Sequence, residues 1–412
     1  AAASAAAPTA APAPATSRRN FLRAGGLGLA GLVVGGAAGA AAGAAIGHSI
    51  GVEDGREEFG PLNPSTEPGF EHIVVLMGEN RAFDNLLGPL ATPASLPAGA
   101  TFDGLALGNY SHGAPDGRDG PAHVYAGDTD KVMGMPNPDP GEEYPHVNTQ
   151  LFGTVSPATN AKLYADQMEY PYNAPSFGEK PKMDGFVKDY HINFERLYQG
   201  TAPTEEQGDQ IMGGFSPQML PVLSTLAREF AVFDHWFAAV PSQTYCNRSF
   251  FHASTSHGYV TNKGDGGYDK WLNAEATPTV FNRLEAAGKS WRVYYDELQL
   301  ISMTGMLHAP VLEKYWATEH FATMAQFYKD ASEGTLPDYA FIEPRMVYNH
   351  NDFHPPFGEL KESVVDGMLV VDSAISDVRA GEALVNDVYT AIKTSASTKG
   401  SNALNTLLLI TF

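Results

Sequence analysis

The chain has 412 residues, and its 26 Lys and Arg against 47 Asp and Glu give a formal charge of −21 at pH 7. That balance argues against a nucleic-acid partner, because binding a phosphate backbone needs clustered Lys and Arg. At 43% hydrophobic, with 22 Phe, 18 Tyr and 4 Trp, the chain can bury a large core, and its single cysteine, Cys246, excludes an internal disulfide framework and a multi-cysteine zinc site.

Residues 1–16 are Ala/Pro low complexity. Ser17-Arg18-Arg19-Asn20-Phe21-Leu22-Arg23 follows, then an apolar Gly/Ala-rich run from Ala24 to about Gly47. A twin-arginine pair ahead of a moderately apolar stretch has the layout of a Tat export signal. The run is long enough to span a bilayer, so a membrane anchor is the alternative reading. Its small residues and few Leu, Ile or Phe suit a cleavable signal better. The prediction is export by the Tat machinery, to the periplasm, the cell wall or the medium. Residues 1–50 are read as signal and low-complexity N-terminus, 51–69 as a linker and 70–412 as one folded body.

From Phe70 onward short apolar runs alternate with longer mixed segments, the signature of an α/β sheet. Predicted strands are His72–Met77, Glu229–Phe233, Trp291–Tyr295, Tyr339–Ile342 and Thr406–Phe412. The first and last are nearly continuous Val, Ile and Leu, as expected of central strands. Predicted helices include Pro217–Arg228, Thr279–Ala287 and Ala383–Thr394. Tyr110–Gly127, Asn137–Gly141 and Gly264–Tyr268 read as loops.

Three strands run into polar clusters: Gly78-Glu79-Asn80-Arg81; Thr244-Tyr245-Cys246-Asn247-Arg248; and Glu343-Pro344-Arg345 with Asn351-Asp352-Phe353-His354-Pro355. Ligands of parallel sheets bind beyond the carboxyl ends of strands, so these clusters are expected to converge. Glu79 and Asn80 offer a hard-oxygen pair for a divalent metal, or a solvated turn at a helix start. Thr244, ahead of a helix from about Asn247 to Ser256, either caps that helix or presents its hydroxyl to a phosphate. As a nucleophile it needs a metal to stabilise its alkoxide. Cys246 is the competing nucleophile or an inert filler. Asn247 and Arg248 are candidates to hold phosphate oxygens. His354 either ligates metal, protonates a leaving group or lies exposed. His252, His257 and His308 are further candidates without assigned roles.

Taken together, Phe70–Asp84, Trp236–Pro241 with Thr244–Arg248, and Gly334–Tyr339 with Phe341–Arg345 and Asn351–Pro355 resemble, in order, three motifs of the phosphoesterase family. That family includes bacterial and plant non-specific phospholipases C and AcpA-type acid phosphatases. The resemblance implies an alkaline-phosphatase-like three-layer α/β/α sandwich, with 70–412 as the catalytic domain. It implies that Glu79, Asn80 and Thr244 meet one divalent metal ion of unassigned identity. It further implies that Thr244 is the nucleophile, with His354 beside the phosphate and Arg248 and Asn247 around it.

The chain departs from the family pattern twice. Where the family often has Asp-Pro-Gly-His, Asp139-Pro140-Gly141 is followed by Glu142, so either Glu142 takes over the imidazole's place or His146 does. The family's remaining acidic ligands follow the strand that here reads Leu407-Leu408-Leu409-Ile410-Thr411-Phe412, which implies a fragment of a longer protein. The expected activity is phospholipase C-like hydrolysis of a phosphate ester, phospholipids among the substrates. The alternatives are an acid phosphatase acting on monoesters and a catalytically silent phosphate- or metal-binding protein.

Overall fold

The computed structural model describes residues 68–92, 95–96, 101–105, 110–115, 117–127, 129–263, 266–299, 301–346, 349–356, 362–365, 368–371 and 376–412. The export signal and residues 51–67 of the expected linker lie outside them. Among the described residues, no helix is long and apolar enough to cross a membrane. The described parts of 64–95, 102–224 and 234–412 form one compact unit, which contains the sheet and the site.

Five parallel strands make the sheet: β1 (His72–Met77), β2 (Trp291–Tyr295), β3 (Phe321–Thr323), β4 (Tyr339–Glu343) and β5 (Thr406–Thr411), in the order β5-β1-β4-β2-β3. β1 and β4 are interior strands, and β4 is buried throughout, its apolar run Tyr339–Ile342 and the closing Glu343 alike. β5 differs from expectation. Among the described residues it is an edge strand, and Leu407 is 39% exposed, because no described strand pairs with its outer side. β5 runs alongside β1 with Thr411 opposite Met77, and Gly78 N donates to Thr411 O at 2.8 Å.

Strand alternation divides the side chains between two helical layers. Val75, Met77, Trp291, Val293, Tyr339 and Phe341 face one way and pack with Phe281 and Phe251. Those two phenylalanines belong to α6 (Val280–Ala286) and α5 (Thr244–Ala253). Thr279 starts α6 with a capping box, exchanging hydrogen bonds with Asn282. On the opposite face, Tyr294 donates to Asp330 Oδ2 at 2.7 Å and its ring lies 5.3 Å from Phe327. Both partners come from α8 (Met324–Glu333), whose last turn closes on Gly334 at φ 74, a left-handed position suited to glycine. α9 (Val378–Thr394) packs on α8 and buries Val378, Gly381, Val385, Val388 and Ile392, a helical stripe at three- and four-residue spacing. Helices on both faces of a parallel sheet give the three-layer α/β/α architecture expected from the sequence.

The segment Glu229–Phe233, expected as a strand, is not one. The helix α4 (Pro221–Glu229) carries on to Glu229, and Phe230 N donates to Leu226 O at 2.9 Å. The helical ladder thus uses the backbone groups a strand would need, and Phe233 is exposed. Three further helices complete the scaffold: α1 (Phe83–Leu86), α2 (Tyr144–Phe152) and α3 (Phe186–Leu197). A further one, α7 (Met303–Leu307), follows β2.

Candidate active site

Because the sheet is parallel, β1, β4 and β5 all end on one edge. β1 delivers Glu79 one residue past Gly78, and Glu79 N donates to Asp352 O at 2.8 Å, tying the end of β1 to the loop after β4. Thr244 is the first residue of α5. Its hydroxyl does not cap the helix, since the N-cap residue is Gln243 and makes no side-chain cap. Thr244 Oγ1 donates instead to Glu79 Oε1 at 3.3 Å. One turn further along α5, Arg248 donates from Nη2 to Glu79 Oε2 at 3.0 Å and from Nε at 3.3 Å. Burial raises the Glu79 pKa above the usual carboxylate range; Arg248 opposes that rise and Asp352 adds to it.

Asn80 sits beside this pair. Its Nδ2 donates to Glu142 Oε2 at 2.9 Å, while its Oδ1 is buried and has no hydrogen-bond partner. His354 completes the group, with Nε2 3.8 Å from Glu142 Oε2 and Nδ1 3.9 Å from Asp139 Oδ1. Its Nδ1 also lies 2.8 Å from Pro355 O, and its backbone N donates to Asp352 Oδ1 at 3.0 Å. Burial alone would depress the His354 pKa. The carboxylates of Asp139 and Glu142 outweigh it and hold the imidazole well above its ordinary value. Glu142 also resists burial: hydrogen bonds from His354, Asn80 and Gln243 keep its pKa low. Asp139 goes the other way, driven well up by burial because its compensation is weaker. The ionised state of this group is therefore a charged His354 paired with a charged Glu142.

Glu79, Asn80, Thr244, Arg248 and His354, all singled out by sequence, thus gather in two touching clusters. Arg248, however, is only 3% exposed, and its bonds go to Glu79 and to Met77 O at 3.2 Å. That commits Nε and Nη2 to the carboxylate and the end of β1, while Nη1 is buried without a hydrogen-bond partner. Asn247 is also committed elsewhere. Its Nδ2 donates to Val240 O, Ser242 O and Gln243 O, and its Oδ1 accepts from Val240 N. It pins the irregular approach to α5, which is how Thr244 is positioned without a preceding strand.

Other candidates leave the site. Cys246 is fully buried with Val240, Trp271 and Leu307, and burial pushes its thiol up to about 11, so it is a core residue and not a nucleophile. His146 does not replace the missing imidazole. It is fully buried between α2 and α3, with Nδ1 2.8 Å from Asp189 Oδ1 and Nε2 2.8 Å from Arg196 Nη1. Glu343 accepts from Ser302 Oγ and from the amides of Met303 and Thr304, capping the N-terminus of α7. Arg345 pairs with Asp296 at 3.0 Å. His252 and His308 lie buried against each other, their rings 5.6 Å apart. Sequence reading missed Gln243, Asp139 and the anchoring role of Asp352. Asp139 was visible only as part of a loop motif.

A family model for the phosphoesterases matches residues 70–412. The chain belongs to the phosphoesterase family. It is 30% identical to non-specific phospholipase C4 of Arabidopsis thaliana over 330 residues, covering 78% of this chain and 50% of that protein. Against non-specific phospholipase C3 of the same plant it is 30% identical over 329 residues, covering 79% and 54%. Non-specific phospholipase C1 gives 29% over 336 residues, covering 79% and 50%. The chain spans about half the length of these curated relatives.

The donors at the site suit a hard divalent cation. Glu79 gives a carboxylate, Asn80 an amide oxygen and Thr244 a hydroxyl, and the buried, unpartnered Asn80 Oδ1 is an acceptor awaiting a positive partner. Among the described residues no group of three His, Cys, Asp or Glu is arranged to hold a metal. This set is of another kind, with one carboxylate and two neutral oxygens.

Proposed function

We propose that the chain is the catalytic part of a phosphate-ester hydrolase of the phospholipase C type, with Thr244 as nucleophile and one divalent metal ion as cofactor. One observation carries the reading: the Thr244 hydroxyl meets the Glu79 carboxylate beside an Asn80 oxygen that nothing else satisfies. The names of the relatives support phosphodiester chemistry. The net charge of −21 argues for a zwitterionic or soluble ester over an anionic bilayer.

The bound cation would lower the pKa of a hydroxyl beside it and offset charge on the phosphoryl oxygens. Glu79 and Asn80 would hold it, and Arg248 holds Glu79. Thr244 passes its hydroxyl proton to Glu79 Oε1, which it already faces, attacks phosphorus through Oγ1 and expels the alcohol, leaving a phosphothreonine. His354, protonated and facing the charged Glu142, gives its proton to the departing alkoxide. Water then hydrolyses the phosphothreonine, its proton going to the now neutral His354, and Thr244 Oγ1 leaves with the proton returned from Glu79. The twin-arginine segment Arg18-Arg19 would send the folded enzyme out of the cytoplasm. Replacing both arginines with lysine and assaying culture fractions tests that part.

The catalytic reading is tested with phosphatidylcholine and a phosphomonoester, before and after exhaustive chelation. Release of diacylglycerol that stops on chelation and returns with added divalent metal is the expected result. Turnover that survives chelation rejects the metal-assisted mechanism, and preference for the monoester moves the protein to the phosphatase class.

A further inference from the structure

Asn80 can serve a cation only through Oδ1, and a side-chain amide has two nearly isosteric ends. What decides between them here is Glu142. A carboxylate offers acceptors alone, so the amide must turn Nδ2 toward it, and the 2.9 Å bond from Nδ2 to Glu142 Oε2 is that contact. The opposite end, Oδ1, is thereby left buried with no donor facing it. Glu142 is itself flanked by His354, whose Nε2 lies 3.8 Å from its Oε2. Its side chain is 21% exposed, so it is a wall of the site rather than part of the core.

We infer that Glu142 is a positioning residue that locks the Asn80 amide with its oxygen toward the metal position. The inference rests on the metal-assisted reading above. Outer-shell partners that orient a ligand in this way typically change metal affinity by about 10- to 100-fold when removed. In Glu142→Gln the new amide can donate to Asn80 Oδ1 as readily as it accepts from Nδ2, so the preference for one orientation is lost. An aspartate at position 80 has an oxygen at both ends and needs no orienting partner.

The experiment is calorimetric titration of the metal-free protein with Mn²⁺ and with Ca²⁺, each alone, alongside thermal melting without metal. Variants are Asn80→Ala, Glu142→Gln and the double variant Glu142→Gln/Asn80→Asp. The expected result is a loss of about 10- to 100-fold in affinity for Glu142→Gln, an unchanged metal-free melting temperature, and recovery to within a few-fold in the double variant. Wild-type affinity in Glu142→Gln, or a double variant as weak as the single one, overturns the positioning role. If Asn80→Ala alone binds as the wild type does, or the wild type binds neither ion, the metal reading itself is rejected and the inference falls with it.

Discussion

Thr244 and Glu79 lie 165 positions apart in the chain, yet the threonine hydroxyl donates to Glu79 Oε1 at 3.3 Å. The contact exists because α5 begins where β1 ends, at one edge of a parallel sheet. Removing the hydroxyl should remove the nucleophile and little else. Thr244→Ala is expected to lower kcat on a phosphate ester by on the order of 10³-fold or more, with Thr244→Ser retaining a measurable rate. Equal activity in Thr244→Ala and the wild type would reject the assignment.

Arg248 is a buried cation whose carboxylate partner is also nearly enclosed, with side chains 4% and 12% exposed. Removing one member leaves the other without compensation, which typically costs about 3–5 kcal/mol, more than losing both together. Arg248→Met should therefore destabilise the fold in urea titrations more than Arg248→Met/Glu79→Gln does. A larger loss in the double variant would show that the pair contributes through something other than its mutual charge.

The sheet was legible wherever apolar runs were unbroken. His72–Met77 and Trp291–Tyr295 occupy β1 and β2 residue for residue, and β4 extends one residue beyond the expected Tyr339–Ile342. Glu229–Phe233 misled because a short apolar run after a helix looks the same whether it pairs with a neighbour or not. At the site, Glu79, Asn80, Thr244 and His354 stand out as residue types at strand and helix ends. The tasks of Arg248 and Asn247 do not, since which atom faces a carboxylate and which a backbone carbonyl is decided by packing. Glu142 showed in the sequence only as a departure from a pattern, and its partner Asn80 lies 62 positions away.

Gly381 lies inside α9, where alanine would ordinarily stabilise by about 1 kcal/mol. Here a Cβ would lie under 3.0 Å from the ring of Phe353, the residue before His354, which is held at φ 74 and meets Phe412 edge-to-face with centroids 5.1 Å apart. Overpacking of this kind costs about 1–3 kcal/mol, so the clash outweighs the helical gain. Gly381→Ala is expected to lower the melting temperature and, by moving the loop that carries His354, to lower kcat as well. A stabilised, fully active variant would mean that the loop repacks freely.

Cys246 offers a contrasting expectation. Fully buried and pushed up to about 11, its thiol should resist alkylation in the native protein and react once the chain is unfolded. Cys246→Ala should keep near wild-type turnover at the cost of some stability from the lost packing against Trp271 and Leu307. A rate loss comparable to that of Thr244→Ala would return the cysteine to candidacy as nucleophile.

Acid should destabilise the fold through the histidine pair beneath the sheet. His252 is enclosed by Phe251, Phe281, Phe341 and His308, and neither of its ring nitrogens has a hydrogen-bond partner. Burial, then the neighbouring His308 and Arg248, hold its pKa well below the ordinary value; burial, and more weakly His257, take His308 to about 3. Both imidazoles are thus neutral in the native state, whereas in the unfolded chain they take up protons near pH 6.5. Their contribution is complete above that pH. It is lost as the pH falls below 6.5 and continues to fall toward the native value of His308, about 3. Each such histidine steepens the loss by at most about 1.4 kcal/mol per pH unit. Urea midpoints measured between pH 7 and pH 4.5 should therefore decline, and His252→Leu, which removes one of the two titrating groups, should make the decline shallower. An unchanged slope in that variant would place the acid sensitivity in other groups.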